Sequence, residues 1–229
     1  MSNNFFISLF DFFLPRFCPG CKQKLSVEEK YICDVCISSI SLAANSLIKI
    51  EFERKFSEKK LISGFTTPFI FEKDKELQHI IHSIKYSNKF AIGKRLGEMI
   101  AEIRGNEIKT WNINLIVPVP LHHLKKVNRG YNQAFYIAKG LSKCLNIPVS
   151  QSILERVKFT QTQTALTLTE RQENVGDAFK VKKIKPVEGK NILIIDDVIT
   201  TGATVSACAK VLKEVGANKL YACSTAVAE

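Results

Sequence analysis

Apolar positions along the chain follow two periods. Ile192-Leu-Ile-Ile195 is an uninterrupted apolar run, the pattern of a strand buried on both faces. Leu115-Ile-Val-Pro-Val-Pro-Leu121 is a second run, and its prolines stop sheet pairing and stiffen the strand end. Phe65–Phe71, Ala178–Val181 and Leu220–Val227 are further strand candidates. Helical spacing recurs between them. It is carried by Leu77, Ile80, Ile81 and Ile84, then by Ile92, Leu96, Met99, Ile100 and Ile103, so residues 74–104 read as one broken helix or two. A helix from near Tyr131 buries Ala134, Ile137, Ala138 and Leu141; another buries Val205, Cys208, Ala209, Val211, Leu212 and Val215. Strands that alternate with helices predict an α/β fold, a parallel sheet flanked by helices.

The first sixty residues have a different texture. Ile37, Ile40, Leu42, Leu47, Ile48 and Ile50 are followed by a charged stretch, Glu51 to Lys60. We place a boundary near residue 60, with a small module over 1–60 and the larger domain over 61–229. Cys18-Pro-Gly-Cys21 and Cys33-Asp-Val-Cys36 are two Cys-x-x-Cys pairs. Each can present two sulfurs from one tight turn, so Cys18, Cys21, Cys33 and Cys36 suit tetrahedral zinc in a closed, structural site. The remaining cysteines, Cys144, Cys208 and Cys223, read as small buried hydrophobes. The apolar start, with Phe5, Phe6, Leu9, Phe12 and Phe13, lacks a basic leading segment and reads as a short packed helix rather than a signal peptide. The alternative is a peripheral contact with a membrane surface. Four reduced thiols and no apolar run of spanning length point to the cytoplasm.

Charge adds a partner class. The net charge is +11, and residues 63–229 hold most of it, 24 basic against 15 acidic groups. Such a field favours phosphorylated ligands, nucleic acid or anionic lipid. Two basic or polar segments sit where it matters. His122 to Gly130, with Lys125, Lys126 and Arg129, follows the strand at 115–121; if that strand neighbours the one at 192, its loop could hold a pyrophosphate. Residues 158–177, with five threonines between 160 and 169, read as a lid from which Arg171 could reach a phosphate. His122 and His123 lack a carboxylate or Cys at ligand spacing and read poorly as metal ligands.

The chemistry concentrates at 191–204, Asn-Ile-Leu-Ile-Ile-Asp-Asp-Val-Ile-Thr-Thr-Gly-Ala-Thr. The order is buried strand, acidic pair, hydroxyl–glycine turn, helix. Backbone N–H groups at a helix start make an anion site. Thr200, Thr201 and Thr204 add hydroxyl donors, and Gly202 with Ala203 lets backbone approach a phosphate. Asp196 and Asp197 suit the diol of a ribose.

This stretch resembles the phosphoribosyl-pyrophosphate (PRPP) motif of type I phosphoribosyltransferases. The order of the four-cysteine module, Ile84-Lys85-Tyr86, Val117–Leu121, Arg129-Gly-Tyr-Asn-Gln133, Gln163 with Arg171 and Asn174, and Asp196–Thr204 resembles the ComF family from about 15 to 227. The resemblance implies a type I phosphoribosyltransferase-like fold and PRPP carried with Mg²⁺. It also implies Lys85, Lys126, Arg129 and Arg171 as pyrophosphate contacts. It further implies a role in natural transformation, handling incoming single-stranded DNA at the cytoplasmic side of the inner membrane, with competence-machinery proteins as partners. Catalysis is left open, and no catalytic residue is assigned. Purine enzymes of this type keep an Asp where Thr200 stands, and threonine cannot move a proton from a base near pH 7. A nucleotide-salvage phosphoribosyltransferase and a single-stranded DNA-binding module without catalysis are the alternatives.

Overall fold

The computed structural model describes residues 15–86, 89–122, 127, 130–157 and 178–229. A parallel sheet runs through the middle, in the order β1 (Gly64–Thr66), β7 (Leu220–Val227), β6 (Ile192–Ile199), β3 (Leu115–Pro118), with β2 (Phe69–Ile70) also paired to β7. The apolar run at 65–71 is broken in two at Thr67-Pro68, because proline has no N–H for the ladder. Strand β6 is longer than its apolar run. It continues through both aspartates to Ile199, since Val198 and Ile199 still pair with Ala226 and Val227.

Side chains of β6 alternate between two cores, as the period of 2 requires. Leu193 and Ile195 face one layer, with Ile80 and Ile84 of α3 (Glu76–Tyr86), Leu96 and Ile100 of α4 (Phe90–Thr110) and Ile137 and Leu141 of α5 (Gln133–Leu145). Ile192 and Ile194 face the other, with Ile48 and Phe56 of α2 (Asn45–Phe56) and Val205, Cys208 and Leu212 of α6 (Ala203–Glu214). Each of these strand side chains is 0% exposed, and full burial of a Leu or Ile contributes about 1.5–3 kcal/mol. The cysteine segment and the short helix α1 (Asp34–Ser39) join the first core through Cys18, Leu25, Ile32, Cys36 and Ile40.

Residues 74–104 form two helices rather than one. Their closest packing is α4 on α5, where Gly97 meets the Ile137 carbonyl and Gly140 meets that of Lys94. The charged stretch from Glu51 behaves differently from its composition. Helix α2 runs through it to Phe56, because Ile48, Phe52 and Phe56 recur at four-residue spacing and Glu51 is neutralised by Arg54 and Lys55. A hairpin of β4 (Leu154–Arg156) and β5 (Phe179–Val181) packs on α6. Its first strand has no signal in the apolar pattern.

Candidate functional site

The C-terminal end of β6 carries the acids and turns into α6. Gly202 is the N-cap, at φ 76°, a left-handed conformation that favours glycine. Ser206 N–H donates to the Gly202 carbonyl at 2.9 Å, the first helical bond, and Ala203 N–H donates to Thr201 Oγ1 at 3.3 Å. The first N–H groups of a helix have no partner within it and sit at the positive end of its dipole. They open on a cavity of about 30 Å³ lined by Asp196 and by residues 198–205. One water needs roughly 10–15 Å³, so the space holds about two waters.

Asp196 and Asp197 leave β6 on opposite faces, as neighbours on a strand must. Asp197 is 8% exposed and lies on the α5 side, where Gln133 Nε2 donates to its Oδ2 at 3.3 Å. Its Oδ1 accepts from Val198 N–H at 2.8 Å, and Asp196 Oδ1 accepts from Asp197 N–H at 2.9 Å. Gln133 Oε1 is buried with no hydrogen-bond partner among the described residues. Asp196 faces the α6 side, half-buried, within electrostatic reach of Arg156 and the Cys208 thiol. Burial lowers the pKa of Arg156, and the Asp196 carboxylate opposes that shift. Its guanidinium lies 5.4 Å over the Phe179 ring. Burial first, and then Asp196, raise the Cys208 thiol well above its ordinary value, so Cys208 is a neutral core residue. Cys223 is equally buried; Cys144 is exposed, on the outer side of α5, contrary to its reading as buried.

Strands β3 and β6 are parallel neighbours, Leu115 opposite Ile192 through Pro118 opposite Ile195. The basic loop after β3 therefore starts beside the acids. It ends beside them too: Asn132 Nδ2 donates to the Val119 carbonyl at 2.9 Å, while Asn132 Oδ1 caps α5 through Ala134 N–H. Lys125, Lys126, Arg129 and His123 lie outside the described residues, as do Gln163, Arg171, Asn174 and the proposed lid. Lys85 lies in α3, and its side chain is likewise outside them. Val157 N–H donates to the Ala178 carbonyl at 2.7 Å and extends the β4–β5 pairing by one bond. His122 is buried at 5%. Arg156 and the partnership of Gln133 with Asp197 are the two features that sequence reasoning missed. A lone arginine in Leu-Glu-Arg-Val has no motif, and only the hairpin brings it to the acids.

The second cluster is made of sulfur. Ligand atoms of Cys18, Cys21, Cys33 and Cys36 all lie within 4.8 Å of one another and could hold a metal ion; this is the one such group of His, Cys, Asp and Glu among the described residues. Cys21 Sγ is 3.6 Å from Cys33 Sγ, and Cys18 Sγ accepts from Cys33 N–H at 3.4 Å. Burial raises Cys18, but backbone N–H groups of Cys33, Cys21 and Gly20 outweigh it and bring the thiol down to about 7. Burial pushes Cys33 and Cys36 up.

Residues 131–227 match the model of the phosphoribosyl transferase domain family, a span that contains Gln133, Arg156, both aspartates and the loop at 200–204. The chain is 29% identical over 208 residues to competence protein F of Haemophilus influenzae, covering 89% of this chain and 86% of that protein. It is 32% identical over 144 residues to the DNA utilization protein YhgH of Escherichia coli, covering 62% of this chain and 63% of that one. The chain resembles the ComF family of phosphoribosyltransferase-like proteins along most of its length. Its sheet, flanked by helices, is the type I phosphoribosyltransferase fold. Among solved structures, the glutamine PRPP amidotransferase of B. subtilis superposes with a TM-score of 0.42 at 20% identity, covering 62% of this chain and 30% of that one. The ComF match extends upstream of residue 131 and so reaches beyond the transferase domain itself.

Proposed function

We propose that this ComF-like protein binds PRPP with Mg²⁺ and acts in natural transformation, on incoming single-stranded DNA at the cytoplasmic side of the membrane. The observation that carries the ligand is the end of β6. An acidic pair, one member bonded by Gln133, stands directly before a glycine-capped helix start that opens on a small polar hollow. The loop at 200–204 takes the 5′-phosphate through backbone N–H groups and the Thr201 and Thr204 hydroxyls. Asp196 and Asp197 take the ribose diol and the Mg²⁺ side of the ligand, and Arg156 balances charge beside Asp196. Lys126, Arg129, Arg171 and Lys85 would neutralise the pyrophosphate. The competence role is supported by the names of the relatives, competence protein F and DNA utilization protein YhgH. Among the described residues no helix is long and apolar enough to cross a membrane.

The cysteine cluster is read as structural zinc. A Zn–S distance of about 2.3 Å places tetrahedral sulfurs about 3.8 Å apart, close to the 3.6 Å between Cys21 and Cys33. Four protein thiolates fill the coordination sphere and leave no position for a water nucleophile.

Binding is favoured over base transfer by one residue. Thr200 is exposed at the point where purine enzymes keep an acid, and its hydroxyl does not titrate near neutral pH. PRPP with Mg²⁺ should therefore raise the thermal midpoint, and a double Asp196→Ala, Asp197→Ala variant should not respond. A screen of free nucleobases for pyrophosphate release separates a salvage enzyme from a binding protein; release with any of them would make it an enzyme.

A further inference from the structure

Helix α2 lies far from the phosphate loop in sequence, yet its last turn packs against it. A Cβ built on Gly202 would lie 2.9 Å from Phe56 Cε1 and 3.2 Å from Lys55 Cβ, so no side chain fits between the helix and the loop. Phe56 is 2% exposed and set between two rings, Phe52 at 6.2 Å and Phe65 of β1 at 5.7 Å between centroids. Its position is thus fixed by the core and not by the loop.

Lys55 makes a second connection. Its side chain is 4% exposed; Nζ lies 2.6 Å from Glu51 Oε2 and donates to the Ala228 carbonyl at 2.9 Å. Ala228 N–H in turn donates to the Ile199 carbonyl at 3.0 Å, and Ile199 immediately precedes Thr200. Glu51 is 2% exposed, a depth at which a carboxylate persists only when paired; Lys55 and Arg54, at 2.7 Å, supply the pairs. Helix α2 therefore holds the loop from behind at two points, its entry through Lys55, Ala228 and Ile199, and its turn through Phe56 and Gly202.

We propose that Phe56 and Lys55 are positioning residues for the phosphate loop, holding residues 200–204 so that their N–H groups converge on one anion without themselves touching it. A cradle of backbone donors stabilises charge only when it is organised before the ligand arrives. This rests on reading residues 200–204 as a phosphate cradle. It adds that the cradle is completed by a helix upstream of the matched transferase domain.

The test compares Phe56→Leu, Lys55→Met and Lys55→Arg with Phe52→Leu, which alters the same aromatic cluster one turn further from Gly202. Two quantities are read on the full chain, amide hydrogen exchange and the PRPP–Mg²⁺ binding isotherm. Phe56→Leu and Lys55→Met should speed exchange at residues 201–205 about tenfold while Ile192–Ile195 stay protected, and weaken PRPP about tenfold. Lys55→Arg should restore both, and Phe52→Leu should lower the thermal midpoint without moving either. Equal effects from Phe52→Leu, or unchanged loop exchange in Phe56→Leu and Lys55→Met, would overturn the proposal. If the wild type binds no PRPP, the cradle reading fails, while the exchange data still decide what α2 does to the loop.

Discussion

Gln133 donates to Asp197 through Nε2 and keeps its own Oε1 buried beside it. Replacing Gln133 with Leu removes the donor and the orphaned oxygen together. Stability should then change by less than about 1 kcal/mol, because removing the unsatisfied oxygen offsets the lost hydrogen bond. PRPP affinity should fall about tenfold, because Asp197 loses the donor that orients its Oδ2. An isotherm paired with a melting curve checks both, and unchanged affinity would remove Gln133 from the site. At this scale the acids and the loop were legible, because adjacent carboxylates followed by Thr-Thr-Gly-x-Thr form one local unit. Arg156 was not. It reaches Asp196 only through the pairing of β4 with β5. Nor was the exposure of Cys144, since a thiol in a helical apolar pattern looks the same on either side of its helix.

Helices α4 and α5 meet backbone to backbone. A Cβ on Gly97 would lie 2.0 Å from the Ile137 carbonyl, and one on Gly140 would lie 2.0 Å from that of Lys94. Alanine normally stabilises a helix by about 1 kcal/mol over glycine. Here the sign reverses, because no rotamer change relieves a clash with backbone. Gly97→Ala or Gly140→Ala should cost roughly 1–3 kcal/mol in chemical denaturation. A neutral or stabilising result would mean that the helices can separate without loss. Element types were largely readable from period alone, since β6, β7, α4 and α5 carry long, regular apolar patterns. Helix α2 shows why charge misleads: Glu51 and Lys55 look solvated as letters, but they neutralise each other inside the second core. The second half of β6 was hidden for a related reason. Its aspartates break the apolar run, while its hydrogen bonds continue to Ile199.

Across the whole molecule the cysteine segment shares a core with α3, through Cys18, Cys36, Leu77 and Ile80. Removing the metal should therefore lower the thermal midpoint of the entire chain, not release a local segment. Chelator dialysis followed by calorimetry should show this loss, with about one zinc per chain before treatment. An unchanged midpoint after full metal removal would contradict a structural role. The positive balance of residues 63–229 makes a separate prediction. Single-stranded DNA should bind with a log–log salt slope of roughly −0.7 per phosphate contacted, and a flat slope would exclude an electrostatic DNA surface. The central claim is the ligand. A calorimetric titration of the zinc-loaded protein with PRPP and Mg²⁺ tests it most directly. One saturable site per chain, absent from the double Asp196→Ala, Asp197→Ala variant, is the predicted result. No heat of binding in the wild type, or equal binding in that variant, would contradict it.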